Sequence, residues 1–417
     1  MGVLFTFCIA ALVSLPTPPV PVPASNARLA ELVRKLGDKS YRNRESAARE
    51  LLRRGSASVA ALTEGTKDAD PEVSERCRQL LPQAAALERN EKLALLIKDP
   101  SAPPPKGLAG LERFLKVTGD DKGARELYAE MLSIHYRTIE AAETNPREAA
   151  EQYRLFCDDA YNRWQINMRN GKYSYDNMFS GRAEIAFFLF VSADTRVRKI
   201  DMEVSRSSIF LNGNQINTAI NGKEAVNAAM RKLFLDWLEH EPQTYLQQRG
   251  LQLAAQANMK EALPIVVRML EKPDKNNSYA KAQAMPFLVK LGSKEHIKLL
   301  EPYVSDTSQL TTINFGDGRM FTVQVRDVAM GVQLQLAGQN MLDYGFDNRF
   351  KNNWLYYHYY GFPDDKSRDD AHAKWKEWAK KNLATEEKKG PEAKTPDAKG
   401  PEKSESKPPE AKGPEKK

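Results

Sequence analysis

The sequence predicts a mainly α-helical chain, an α-solenoid of stacked helical hairpins with one inserted β-hairpin and a disordered C-terminal tail. Three observations carry this. Apolar residues recur at helical spacing along most of the 417 residues. Short helices return in pairs about thirty residues apart, so that each pair can bury its apolar face against the next. A single stretch alternates with period two, around Gly316-Asp317-Gly318.

The first helical segment, "NARLAELVRKLG", sets Leu29, Leu32, Val33 and Leu36 on one face and stops at Gly37. "SYRNRESAARELLRRG" repeats the pattern with Tyr41, Ala47, Ala48, Leu51 and Leu52. Arg53 and Arg54 fall in its last turn, where the helix dipole favours cations. A third helix carries Val59 and Leu62. A fourth opens at "DADPEVSERCRQLL", with Asp70 as N-cap and Pro71 at the first helical position. Asp38 and Asp68, Glu45 and Glu75, Ala47 and Cys77, and Leu51 and Leu81 each stand thirty residues apart, and residues 28–100 form the expected N-terminal repeats. Cys77 shares an apolar face with Val73, Leu80 and Leu81, which makes it an expected buried, structural thiol.

"KDPSAPPPKG" interrupts the helical pattern and marks an expected boundary near residue 105. A central helical region, 106–240, follows. In it "AEIAFFLFVSAD" is nearly all apolar but too short to span a membrane, and reads as a buried helix. "GKEAVNAAMRKLFLDWLEHE" closes the region as an amphipathic helix. The C-terminal repeats, 243–384, begin with Leu263, Val266, Val267 and Leu270 on one face, then Ile297, Leu300 and Val304 on another. Lys260-Glu261 and Lys294-Glu295 lie thirty-four residues apart, again a helical-repeat period. The hairpin, "LTTINFGDGRMFTVQV", is expected between Leu310 and Val325, and Ala371, Trp375, Trp378 and Ala379 share a later helix face. Residues 385–417 repeat Lys, Glu and Pro without large apolar side chains, a composition that cannot bury enough surface to fold.

At the other end, the apolar run Val3–Leu15 suits a signal peptide, and small residues near Ala24 and Ala27 offer cleavage sites. Residues 1–27 are therefore expected to be a signal peptide with a Pro-rich segment, or an uncleaved N-terminal anchor. No Lys or Arg precedes the run, and Cys8 is placed too early for a lipoprotein site. The expected address is extracytoplasmic, in the periplasm or cell envelope, with membrane contact only through an uncleaved N-terminus. The net charge of +7 permits an acidic partner, but Lys and Arg are scattered rather than gathered in a stripe, which speaks against nucleic acid.

Chemistry-bearing motifs are missing. No His-Glu-x-x-His, phosphate-binding loop, dinucleotide fingerprint or Gly-x-Ser-x-Gly elbow occurs, and five histidines with three cysteines leave few ligands for zinc or copper. No catalytic residue, cofactor or metal is assigned, and a non-catalytic chain is expected. Acids at Asp364, Asp365, Asp369 and Asp370 precede or open a helix and read as caps. His296 reads as packed or surface-exposed.

The densest cluster is "NWLYYHYYGF", ending at Phe362. It follows the last repeat, whose open apolar face needs a cap, and large aromatic rings can supply one. On that reading Tyr356, His358, Tyr359 and Tyr360 are the candidate contact surface for another protein. Alternatively the aromatic cluster 354–362 binds a glycan or envelope polymer.

"DPEVSERCRQLL" and "ASVAALTEGTKDAD" resemble the first and second helices of a HEAT repeat. Together with "GLERFLKVTGDDKGARELYAEML", "VQVRDVAMGVQLQLAGQ", "DYGFD", "GFPDD" and "KWKEW", they make the chain similar to uncharacterised exported bacterial proteins with HEAT-like, armadillo-type repeats. The likeness covers residues 28–380 in patches and is weakest at about 165–225. It implies the armadillo-type fold and export, and transfers no activity. The expected function is a non-catalytic extracytoplasmic scaffold mediating protein–protein interaction.

Overall fold

The computed structural model describes residues 26–171, 178–198, 209–271, 278–314, 318–348 and 355–387. The expected signal peptide, Trp354, the hairpin turn at Gly316-Asp317 and the tail from residue 388 lie outside the described residues. The chain is mainly helical with one two-stranded antiparallel sheet among the described residues. It divides into two compact units, the first running to Lys272 with Lys290–Gly292, the second taking Pro273–Val289 and the residues from Ser293.

In the first unit, α1 (Asn26–Arg34), α2 (Tyr41–Arg53), α3 (Ser56–Gly65) and α4 (Pro71–Lys98) enclose a core of Leu29, Val33, Leu36, Ala47, Leu51, Leu62, Val73 and Cys77. The thirty-residue correspondence is physical. Asp38 Oδ1 accepts the Ser40 amide at 2.8 Å, and Asp68 Oδ1 accepts the Asp70 amide at 2.9 Å, each turn opening the next helix. Asp70 in turn caps α4 by accepting the Glu72 amide. Arg76 of α4 binds Glu45 of α2 at 3.0 Å, so the two equivalent helices are also linked by charge. Tyr41 departs from its expected place: it is 66% exposed, and the buried face starts at Ala47. Burial pushes the Cys77 thiol up to about 11, as suits a structural cysteine.

Arg53 lies in the last turn of α2 and Arg54 just beyond it, and both bind Glu50. Arg53 donates to both Glu50 oxygens, at 2.8 and 3.0 Å, and Arg54 Nε donates to Oε1 at 2.8 Å. The Arg53 bond, aided by Arg54 against the opposing effect of burial, holds the Glu50 carboxyl at about 2 instead of 4.5. A depressed carboxyl stabilises the fold above its unfolded value and loses that contribution as pH falls toward the folded one. Glu50→Gln is therefore expected to cost about 1 kcal/mol at pH 7, a figure reduced for solvent screening. Denaturant melts should show the gap to the parent closing between pH 4.5 and about 2. A gap that persists at pH 2 would overturn this account.

The Pro-rich break near residue 105 does not separate compact units, because both of its flanks belong to the first. Arg125, on α6 (Lys122–Thr144), holds it in place. This 2%-exposed guanidinium donates to the carbonyls of Leu96, Asp99 and Ala102 and forms a two-point bond with Asp120. It caps the open C-terminal carbonyls of α4 and pins the loop beyond it. Arg125→Met is expected to speed tryptic cleavage after Lys98 or Lys106 at least about tenfold, since each charged hydrogen bond contributes roughly 1.5–3 kcal/mol. Unchanged cleavage would show that the loop is held by something else.

The rest of the first unit is α5 (Leu111–Thr118), α7 (Pro146–Arg169), α8 (Arg182–Ser192), a one-turn helix Thr195–Arg198, α9 (Asn214–Asn221), α10 (Ala225–His240), α11 (Thr244–Gln256) and α12 (Leu263–Glu271). The apolar stretch expected to be a buried helix is α8, buried from Ala183 through Ser192. Among the described residues no helix is long and apolar enough to cross a membrane. Helices α6 and α10 meet at backbone contact. A Cβ on Gly123 would stand 2.3 Å from the Ala225 carbonyl carbon, so only glycine fits.

The second unit holds α13 (Ser278–Ala284), a 3-10 helix Lys294–Tyr303, β1 (Gln309–Asn314), β2 (Met320–Gln324), α14 (Val325–Leu336) and α15 (Asp365–Glu387). The hairpin lies where alternation placed it, with Thr311 opposite Val323 and Ile313 opposite Phe321. The segment expected to bury Ile297, Leu300 and Val304 buries Ile297, Leu300 and Tyr303 instead. It is wound as a 3-10 helix, whose three-residue turn places every third side chain on one face. His296 caps this helix, its Nδ1 accepting the Ser293 amide. Helix α15 continues through Thr385–Glu387, past the point where the tail was expected to begin, because the first Gly-Pro break comes only at Gly390-Pro391.

Candidate functional site

The sequence-chosen aromatics lie in the second unit and divide into two sets. Tyr357–Tyr359 form one 3-10 turn, and Tyr356, His358 and Tyr359 gather there. The His358 ring centroid lies 4.3 Å from Tyr359 and 5.5 Å from Tyr356, and burial lowers the His358 pKa. Tyr356 is 40% exposed. Tyr357 packs edge-on to Tyr279 of α13 and donates its hydroxyl to the Tyr279 oxygen at 3.2 Å, extending the cluster to a residue the sequence reading had not singled out.

Tyr360 belongs to the other set, and its expected role in a contact surface is corrected. It is 1% exposed, packed under Gly331 of α14, with its hydroxyl oxygen accepting the Gln335 amide at 2.9 Å. Phe362 is also buried and exchanges both backbone hydrogen bonds with Thr322 of β2, closing the edge of the hairpin. The 3-10 turn ends between Tyr359 and Tyr360, and the change of direction sends one ring outward and the next inward.

Five acids of the carboxylate pairs bind neighbouring side chains. Asp364 accepts the amide and hydroxyl of Ser367 at the start of α15, Asp365 binds Arg368, and Asp369 binds Arg326. Asp158 and Asp159 pair with Arg154 and Arg163 along α7.

A site that sequence reasoning missed is a cleft of about 850 Å³ in the first unit. Helix α5 contributes Glu112, Arg113 and Lys116 from one face. Helix α10 contributes Lys232, Asp236 and His240 at successive i, i+4 positions. The turn after α8 contributes Asp194 and Arg196, and α6 contributes Glu143. Several are fixed by their neighbours. Arg113 lies 3.4 Å over the Phe190 ring and donates Nη2 to the Phe190 carbonyl at 2.8 Å. Asp194, 4% exposed, accepts Arg196 Nε at 3.0 Å and Nη2 at 2.7 Å, and faces Arg113 Nε at 3.6 Å. Lys232 caps α5 through the Thr118 carbonyl.

Two carboxyls of this cleft are pushed in opposite directions. Burial raises the Asp236 pKa, against the attraction of His240 and Arg113. Burial works the same way on Asp194, but the Arg196 hydrogen bond and the Arg113 charge outweigh it and bring that carboxyl below its ordinary value. Burial also lowers the Arg113 pKa, a sign that its charge is poorly solvated. The three segments lie eighty and forty residues apart, so no local motif could announce the site. The only signal in the sequence is a charged residue on an otherwise core-forming helix, as in "LERFLKV" and "LFLDWLEH".

The fold and these two surfaces define a mainly helical protein with a charged cleft in one unit and an aromatic patch in the other. No family model matches the chain, and neither the curated proteins nor the solved structures offer a match.

Proposed function

We propose that the chain is a non-catalytic, HEAT-like, armadillo-type helical scaffold that works outside the cytoplasm by binding another protein. The observation that carries this is the pair of Asp turns, Asp38–Ser40 and Asp68–Asp70, which open helices α2 and α4 one repeat apart over a shared core. Stacked helical pairs build extended surfaces suited to a protein partner. The extracytoplasmic address rests on the N-terminal sequence alone, and N-terminal sequencing of the native protein tests it. The scaffold reading is tested by immobilising the full chain and passing an envelope fraction of the producing cells over it. Retention of a discrete protein, lost when the fraction is first treated with protease, is the expected result.

The half-exposed aromatic patch supports a second reading, a glycan- or polymer-binding module. Tyr279, Tyr356, His358 and Tyr359 offer ring surface with polar edges. Retention of polysaccharide that survives protease treatment, and its loss in Tyr356→Ala, would favour this module over the scaffold.

A further inference from the structure

We propose that a pocket between α4 and α6 binds a small aliphatic carboxylate, at a site apart from the charged cleft and the aromatic patch and independent of the scaffold reading. One face of α4 supplies Ala85, Glu88, Arg89 and Lys92, at i, i+3, i+4 and i+7. Helix α6 supplies Leu132, Tyr136 and Glu140, at i, i+4 and i+8, and the loop before α5 adds Gly107, Leu108 and Ala109. The volume is about 430 Å³, within the range of sites that take a small molecule.

Arg89 carries the argument for an anion. Its guanidinium carbon lies 3.6 Å from the centre of the Tyr136 ring, a distance that only a face-on approach allows. Stacking of this kind uses the flat face and leaves the N–H groups at the edge free. Among the described residues Arg89 makes no hydrogen bond or ion pair, and its Nε is buried without an acceptor. The chain thus gives this charge an aromatic support and no anion, an arrangement that is costly until one arrives. A planar carboxylate accepts from such a free fork in two-point fashion.

The surroundings set the kind of anion. Three basic side chains, Arg89, Lys92 and Arg137, face two acidic ones, Glu88 and Glu140, which leaves one positive charge. Lys92 is already paired with Glu88 at 2.9 Å. Arg137 and Glu140 are exposed, and Arg137 donates Nε to the Tyr136 hydroxyl at 3.0 Å. One unmatched charge suits a monoanionic carboxylate better than a phosphate, which carries nearly two charges at neutral pH. The rest of the lining is apolar, with Pro82, Ala85, Leu108, Ala109 and Leu132, and suits an aliphatic body behind the carboxylate.

The test is calorimetric titration of the full chain with octanoate, octanol and inorganic phosphate. Octanoate should bind one to one. Octanol, which lacks the charge, and phosphate, which lacks the apolar body, should each bind at least about tenfold more weakly. Arg89→Gln should weaken octanoate binding by about tenfold or more, and Arg89→Lys, which keeps the charge but not the fork, should weaken it several-fold. Ala85→Leu fills the pocket from the same wall without touching a charge, and should weaken binding even if Arg89→Gln fails to fold. The remote Arg42→Gln should bind like the parent. Absence of octanoate binding, or binding untouched by Arg89→Gln in a folded variant, overturns the assignment. Octanol binding as tightly as octanoate overturns the role of Arg89, and phosphate binding where octanoate fails overturns the carboxylate.

Discussion

Asp327→Ala is expected to destabilise the second unit by about 3–5 kcal/mol, because it leaves the buried Arg368 with only the exposed Asp365 to balance its charge. Asp327 is 0% and Arg368 1% exposed, and Arg368 Nε lies 3.1 Å from both Asp327 oxygens. The same carboxylate accepts the Gln324 amide at 2.8 Å, capping α14, and His372 Nε2 lies 3.3 Å away. Arg368 also donates to the Thr322 carbonyl at 2.8 Å, so one ion pair fastens β2, α14 and α15 together. About two helical turns along, Trp375 donates to Gln333, which donates to the Ile297 carbonyl, repeating the α14–α15 link. Removing the whole pair with Asp327→Leu and Arg368→Met should cost far less than the single change, since the penalty lies in the unpaired charge and not in the loss of attraction. Two compact units need not unfold together, so hydrogen exchange resolved to α14 and α15 is the proper measurement. A single variant that exchanges like the parent would overturn the argument, as would a double variant that fares worse than the single.

What the sequence made legible follows from the range of the interactions involved. Asp70-Pro71 announces α4 because capping and the fixed proline angle act within one turn. The hairpin was visible because a two-residue period needs only a few residues to declare itself. The Ile297 helix shows where local reading stops. Its apolar residues fit both a three-residue and a 3.6-residue turn, and only Tyr303 replacing Val304 in the core tells which was chosen. The cleft lies beyond that range altogether. Arg113, Asp194 and Asp236 meet only because α5, α8 and α10 pack around a common core that includes Phe114, Phe190 and Leu233. Nor could composition separate Tyr359 from Tyr360, which are adjacent and chemically identical. The difference comes from Gly331, on another helix, whose missing side chain leaves room for one ring.

That room makes Tyr360→Ala the second large effect, an expected loss of about 3–5 kcal/mol from a cavity the size of an aromatic ring. The Tyr360 ring sits where a Cβ on Gly331 would fall only 2.3 Å from its Cδ1, so ring and glycine are mutually fitted. Phe346 meets it edge-on at 6.3 Å, and Phe346 in turn packs on Phe362 at 4.7 Å. Losing one ring therefore loosens the hairpin edge that Phe362 closes through Thr322. Tyr360→Phe should cost only about 1 kcal/mol, because the ring stays and Gln335 still donates to the Gly331 carbonyl at 3.3 Å. Tyr356→Ala, at a 40%-exposed position, should stay within about 0.5 kcal/mol of the parent. The three variants separate the two sets of rings in one short segment: Tyr360 packs inward, and Tyr356, His358 and Tyr359 stay at least partly exposed. Equal melting of Tyr360→Ala and the parent would sink the cap. A Tyr356→Ala variant that unfolds would show that the outer tyrosines are structural too, and that the aromatic patch is no surface for a partner or a glycan.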